Sequence, residues 1–330
     1  MSAKKVGTGI DQILEATEIT PVALVGRPGI GKTQRVLAFG EKLGIPTFIW
    51  TTPGHDVVDF QGIPIIGPDG VVWSPPEVAK TLAAGPALFL ADEVDKAVPP
   101  VQASLMKLLS ERRFGETLVH PEVRLALAWN PTNQGGLYEV LDTLIQRVVR
   151  FHVTADAEEW IKYMAPRTNA FDVLGYISKN QDALSADPTA PGQPAPSPRQ
   201  WEKVCKAVDK GYTGEFLDTF AEGAVGGDEA AKWKHFRNNQ DLPSLEEVLS
   251  GLDLSNFRPD QLYVIGAMLN GEAGKKGTRK MPQVWSAVER IMQVPGAADI
   301  GGMLTRRLAR DNGKAVPPEL ISQVGDLLAY

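Results

Sequence analysis

The stretch Gly26-Arg27-Pro28-Gly29-Ile30-Gly31-Lys32-Thr33 sets three glycines, a lysine and a hydroxyl between an apolar run, Val22–Val25, and a helix-compatible segment, Gln34–Leu43. Glycines let the backbone curl until successive N–H groups point inward, and a helix beginning there adds the positive end of its dipole, so the segment is suited to holding a phosphate. The spacing fits G-x-x-x-x-G-K-[ST] in the strand-to-helix context that the pattern requires. Gly26, Arg27, Pro28, Gly29, Ile30 and Gly31 are expected to form the cradle. Lys32 would bridge the terminal phosphates of a nucleotide, facing only phosphate and solvent, and Thr33 would ligate Mg2+.

Such a site needs a second strand that ends in a carboxylate. Leu88-Phe89-Leu90-Ala91-Asp92-Glu93 supplies one, with four apolar residues placing two acids at the tip of a buried strand, where ligands of open α/β sheets bind. Asp92 is expected to contact the nucleotide's magnesium ion, and Glu93 to act as the general base toward water.

The elements that must position these groups follow from alternation. Five short apolar runs, Val22–Val25, Thr47–Thr51, Leu88–Ala91, Leu125–Trp129 and Val148–Val153, are each followed by turn residues or a helical pattern. This is the form of a parallel α/β sheet with strands buried on both faces by helices. Val101, Leu105, Leu108 and Leu109 recur at helical spacing after Pro99 and Pro100, predicting a helix over Val101–Arg113. After about residue 155 helical patterns dominate. The proline-rich stretch Ala186–Pro198 reads as a stiff linker, Trp201–Val208 as helix, and Ser244 with Glu247 as a capping box.

At 330 residues, 43% hydrophobic and 22% charged, the chain is long enough for about two domains and too apolar for general disorder. No apolar run is long enough to span a membrane, and Met-Ser-Ala-Lys-Lys-Val does not lead into a secretory core, so a cytoplasmic location is expected. Cys205 is the sole cysteine, and His55, His120, His152 and His235 lie far apart in sequence, so no zinc-type ligand spacing is present. A net charge of −6 argues against a surface that coats nucleic acid.

These motifs together resemble the AAA+ ATPases, and within them the MoxR-like group. Gly85-Pro86 through Asp92-Glu93-Val94-Asp95-Lys96-Ala97, then Gln102 and Leu109-Ser110-Glu111-Arg112, looks like that group's second acidic motif and the helix after it. Trp129-Asn130-Pro131, Gln134, Gly136, Tyr138 and Arg147 have the spacing of the sensor-1 asparagine and the arginine that ends the next helix, and Ser197-Pro198-Arg199 looks like the sensor-2 motif. The resemblance covers about residues 20–210. It implies residues 1–155 as an AAA+ P-loop domain with a five-stranded parallel sheet sandwiched by helices and 156–210 as an α-helical lid; residues 211–330 match no motif and read from their helical patterns as a helical C-terminal extension of unknown role. Residues 62–73, with Pro68-Asp69-Gly70 as a turn, and 114–123 read as two hairpin insertions, which in such ATPases face substrate or adaptor.

The resemblance further implies ATP and Mg2+ as cofactors and a ring, six subunits being the expected number, that remodels or activates a protein partner. A partner with a von Willebrand factor A domain is the class implied. Asn130 would hold the attacking water and γ-phosphate. Arg147 would enter the neighbouring subunit's site, and Arg199 would join the lid to the phosphates. Gln146 and Val148 stand where the family usually has Asp and Phe, which leaves Arg150 as a rival to Arg147, and Arg112 and Arg113 are alternative intersubunit arginines. The alternatives are a nucleic-acid translocase and a nucleotide-gated scaffold without turnover. The acidic balance and the hairpins' lack of interleaved basic and aromatic residues weigh against the first. The joint presence of Glu93, Asn130 and Arg147 weighs against the second. GTP is disfavoured by the absence of an Asn-Lys-x-Asp motif.

Overall fold

The structure is a computed structural model that describes residues 10–68, 70–131, 138–190, 192–238, 242–275, 278–312, 315–318 and 320–321. The chain divides into two compact units between Thr154 and Ala155. In the first, the strands are β1 (Val22–Val25), β2 (Thr47–Thr51), β3 (Ile63–Gly67), β4 (Gly70–Ser74), β5 (Leu88–Asp92), β6 (Arg113–Phe114), β7 (Thr117–Leu118), β8 (Arg124–Trp129) and β9 (Val149–His152). β2, β5, β8, β1 and β9 form one sheet in that order, parallel throughout. The five expected runs are its five strands, with ends shifted by no more than a residue.

Side chains alternate across the sheet, as the two-residue period of a strand requires. Ala23, Val25, Phe89, Ala91, Leu125, Leu127 and Trp129 enter a core on one face, together with Leu82, Val101, Leu105 and Leu108 from helices Glu77–Ala84 and Pro99–Glu111. Val22, Leu24, Leu88, Leu90, Ala126 and Ala128 enter a core on the other, with Leu14, Val36 and Phe39 from helices Ile10–Glu15 and Lys32–Leu43. Burial on both faces does not hold for the outer strands. β9 ends the sheet and is mostly exposed, and β2 at the opposite edge is only half-buried.

Helix Pro99–Glu111 starts earlier than the apolar spacing suggests, because Pro99 and Pro100 occupy its first turn, where proline's missing N–H leaves no bond unmade. It ends before Arg112, which takes a left-handed φ of 56°. Two antiparallel hairpins interrupt the helical layer: β3–β4, between helices Val57–Gln61 and Glu77–Ala84, and the much shorter β6–β7. The expected turn residue Asp69 lies outside the described residues. An aromatic cluster roots both hairpins. The Phe60 and Phe114 rings stack at 5.1 Å, Trp50 meets each edge-on at 5.3 Å, and a Cβ on Gly115 (φ 61°) would lie 2.4 Å from the Phe60 carbonyl oxygen.

The second unit is helical, and one continuous apolar core draws residues from both 156–210 and 211–330, including the fully buried Trp201 and Trp233. Trp201 Nε1 donates to Ala183 O at 2.8 Å. The Ala186–Pro198 stretch is not a linker between units. It is an irregular loop inside the second one, its ends joined by a bond from Ala186 N to Pro196 O at 3.3 Å, with Pro191 outside the described residues. Helix Pro198–Asp209 follows, and the Ser244–Glu247 capping box opens helix Leu245–Leu249.

Because Phe114 is fully buried against three aromatic rings, Phe114→Ala should lower the unfolding free energy by about 3–5 kcal/mol. Urea unfolding checks this, and a loss below about 1 kcal/mol would mean that the hairpin roots are not packed as described.

Candidate nucleotide-binding site

β8 lies between β1 and β5, so the residues that follow the three strands share one edge of the sheet. Val25 pairs with Trp129, which sets Gly26 and Asn130 side by side, and Gly26 N donates to Trp129 O at 3.2 Å. The chain leaves β1 through a tight passage. A Cβ on Gly26 would sit 2.4 Å from Val153 O, and Gly29 and Gly31 have φ of 80° and 95°, values that L side chains rarely adopt. Gly31 caps helix Lys32–Leu43, whose first-turn N–H groups therefore open onto the loop.

Lys32 is only 8% exposed, and its Nζ donates to Gly26 O at 2.6 Å, Arg27 O at 3.1 Å and Asn130 Oδ1 at 3.1 Å. The expectation that it meets only phosphate and solvent is thus corrected. The side chain also ties the loop to β8, because a buried ammonium must have its protons accepted.

Thr33 Oγ1 donates to Asp92 Oδ2 at 2.6 Å, while the other carboxylate oxygen accepts from Glu93 N at 2.9 Å. Beneath them the buried Thr52 hydroxyl donates to Asp92 O at 2.8 Å, fixing the end of β5. Two hard oxygen donors in contact at a phosphate loop match the usual half-shell of Mg2+, which takes one or two protein oxygens and fills its remaining positions with phosphate and water. The donor set therefore fits that ion. Glu93 adopts a left-handed backbone, φ 57° and ψ 39°, and its Oε1 accepts from Lys96 Nζ at 2.7 Å in a partly exposed ion pair.

Asp95 is a site residue to which sequence reasoning gave no role. It is 2% exposed and accepts from Asn130 N and Asn130 Nδ2, both at 3.2 Å. Holding the amide nitrogen on one side turns Asn130 Oδ1 toward Lys32 on the other. The only signal available was an acid three residues beyond Asp92, which does not distinguish a buried carboxylate from an exposed one.

Lys32–Asn130–Asp95 and Thr33–Asp92–Glu93 thus form two hydrogen-bonded groups joined through the chain at Lys32-Thr33, and the bonds of Arg112, Arg113 and Arg147 lie elsewhere. Arg147 is exposed, donating from Nε to Ser110 Oγ at 2.6 Å and from its guanidinium to Thr143 O. Arg150 is exposed on β9. Arg112 donates to Val123 O at 2.6 Å, with partial burial pushing its guanidinium below the ordinary arginine pKa, and Arg113 donates to Glu116 O at 2.6 Å. Arg199 lies in the second unit, exposed in the first turn of a helix capped by Ser197. Gln134 and Gly136 lie outside the described residues.

Lys32→Ala should abolish nucleotide binding in calorimetry. Since it also leaves Gly26 O and Asn130 Oδ1 short of a donor, it should lower stability by about 1–3 kcal/mol. Undiminished nucleotide affinity would remove the loop from the site.

Comparison with curated proteins returns no match. Among solved structures the chain is similar to a point mutant of Thermotoga maritima RuvB, at 17% identity over 84% of this chain and 86% of that one, with a TM-score of 0.42. A second point mutant of the same protein gives 17% identity over 84% and 85%, with a TM-score of 0.39. At these scores neither likeness bears on function. Residues 21–148, less than half of the chain, match the AAA domain of the dynein-related subfamily, and they hold Lys32, Thr33, Asp92, Asp95 and Asn130. The first unit is therefore a P-loop domain of the AAA+ fold.

Proposed function

We propose that the chain is a MoxR-like AAA+ ATPase that binds ATP with Mg2+, hydrolyses it in a ring of subunits and uses the cycle to remodel or activate a protein partner. The observation that supports this most is the convergence of Lys32, Thr33, Asp92 and Asn130 at the ends of three adjacent parallel strands. Lys32 and the loop amides hold the phosphates, while Thr33 and Asp92 hold Mg2+, whose chemistry is to draw charge from the phosphate oxygens. Glu93 takes a proton from the attacking water, for which its carboxylate must be free of Lys96. Asn130, aimed by Asp95, orients that water against the γ-phosphate.

Arg147 serves the neighbouring subunit, since its exposed guanidinium is bonded away from its own Lys32. Arg199 keeps the sensor-2 role that its motif implies, and because residues 156–210 share one apolar core with residues 211–330, the lid implied for the former extends through both. The partner reading draws support from the first hairpin. Ile63, Ile65, Ile66, Val71, Val72 and Trp73 are all exposed on it, and residues 62–74 contain no lysine or arginine. An apolar surface without a basic residue suits a protein and offers nothing to a phosphate backbone. A partner bearing a von Willebrand factor A domain is the class we favour. Among the described residues no helix is long and apolar enough to cross a membrane.

Glu93→Gln should keep ATP affinity and lose hydrolysis by about 10²-fold or more. Hydrolysis at the wild-type rate would move the base to another residue. The role of Arg147 is read from concentration: specific ATPase activity should rise steeply as subunits assemble, and Arg147→Ala should bind ATP without turnover. Concentration-independent turnover by a monomer would refute action on a neighbour.

A further inference from the structure

Gln102 is fully buried in helix Pro99–Glu111, on the face where Val101, Leu105 and Leu108 supply apolar packing. A polar side chain there must be satisfied, and this one uses both ends of its amide. Nε2 donates to Ala97 O at 3.0 Å and to Glu139 O at 3.3 Å, and Oε1 accepts from Leu141 N at 2.9 Å. Glu139 and Leu141 lie 37 and 39 residues further along the chain. The amide therefore ties this helix to the segment that leads into Arg147.

That segment has little to hold itself. Leu141 precedes a helix of four residues, Asp142–Ile145, whose first turn receives no side-chain cap. A helix so short is not stable on its own backbone bonds. Leu144 is buried, Tyr138 N donates to Asp95 O at 2.9 Å, and Arg147 Nε reaches Ser110 on the helix that bears Gln102. Ser110 lies eight residues beyond Gln102, about 12 Å along a helix axis. One rigid helix thus grips the arm at its start through Gln102 and at the guanidinium through Ser110.

We propose that Gln102 is the positioning residue of Arg147, fixing where the arginine is presented while touching neither nucleotide nor water. The inference rests on the reading that Arg147 serves a neighbouring subunit. It predicts a pattern that general damage would not give. Gln102→Leu keeps ATP affinity within about twofold and loses turnover by tenfold or more, and Gln102→Leu with Arg147→Ala is no slower than Arg147→Ala alone.

Mixing is decisive. Gln102→Leu subunits keep an intact phosphate loop, so co-assembly with Lys32→Ala subunits, which still present a well-held Arg147, restores part of the activity. Arg147→Ala mixed with Lys32→Ala is the control. If the control recovers and the Gln102→Leu mixture does not, Gln102 acts on its own subunit's site and the positioning role is overturned. If neither recovers despite co-assembly, the trans reading of Arg147 fails and the inference falls with it. Ser110→Ala is the second variant, chosen because Ser110 is exposed and its loss leaves the core intact. It should lose turnover severalfold at unchanged unfolding midpoint and recover in the same mixture, and wild-type turnover in both variants would contradict the proposal.

Discussion

The hydrogen bond from Lys32 Nζ to Asn130 Oδ1 joins groups 98 residues apart and can form only where β8 lies directly beside β1. That adjacency places a cation from the loop after β1, an amide at the end of β8 and a carboxylate at the end of β5 along one edge of the sheet. Asp95 then holds the amide from behind, so the direction of Asn130 Oδ1 is set by a buried acid and not by contact with solvent. Lys32 and Asp95 are both nearly excluded from water, where an unmade polar contact is costly and a well-made network is rigid. Most of the first unit serves this geometry. Two apolar cores, one on each face, hold the strands in register, and Thr52 and Gly26 fix the strand ends where functional side chains emerge.

The parallel sheet was legible because its runs are short, apolar and punctuated by turn residues or helical patterns, and Val22–Val25 and Thr47–Thr51 needed no adjustment. The placement of Lys32, Thr33 and Asp92 at one edge of the sheet was legible as well, since their spacing is fixed by local strand-to-loop geometry. The state of those side chains was not. Whether an ammonium faces water or three acceptors depends on which strand comes to lie beside it, and no local pattern carries that. Asp95 and Gln102 show the same limit. Each is an ordinary polar residue in a helical or turn sequence, and each is buried because partners 35 to 39 residues away fold against it. β9 failed the expectation of full burial for a related reason, in that its apolar residues indicate a strand while its place at the sheet edge is set by chain order. The proline-rich stretch was read from composition as a linker, but its ends meet inside one unit.

Function in the second unit was the least legible. Its helices follow from periodicity and capping, and Trp201 and Trp233 mark its core, yet nothing in their spacing names a ligand. The β3–β4 hairpin is more informative. Six large apolar side chains are exposed on one two-stranded ribbon, an apolar patch of the kind that marks interaction surfaces, and this supports the partner reading proposed above.

The central claim is that Lys32, Thr33, Asp92 and Asn130 form the phosphate and metal end of a nucleotide site. A crystal structure of the protein with Mg2+ and a non-hydrolysable ATP analogue tests it most directly. The account predicts the γ-phosphate within hydrogen-bond distance of Lys32 Nζ and of Asn130, Mg2+ ligated by Thr33 Oγ1 with Asp92 beside it, and the Asn130–Asp95 bonds intact. A nucleotide bound elsewhere, or one whose phosphates leave Lys32 still closed onto Gly26 O and Asn130, would contradict it.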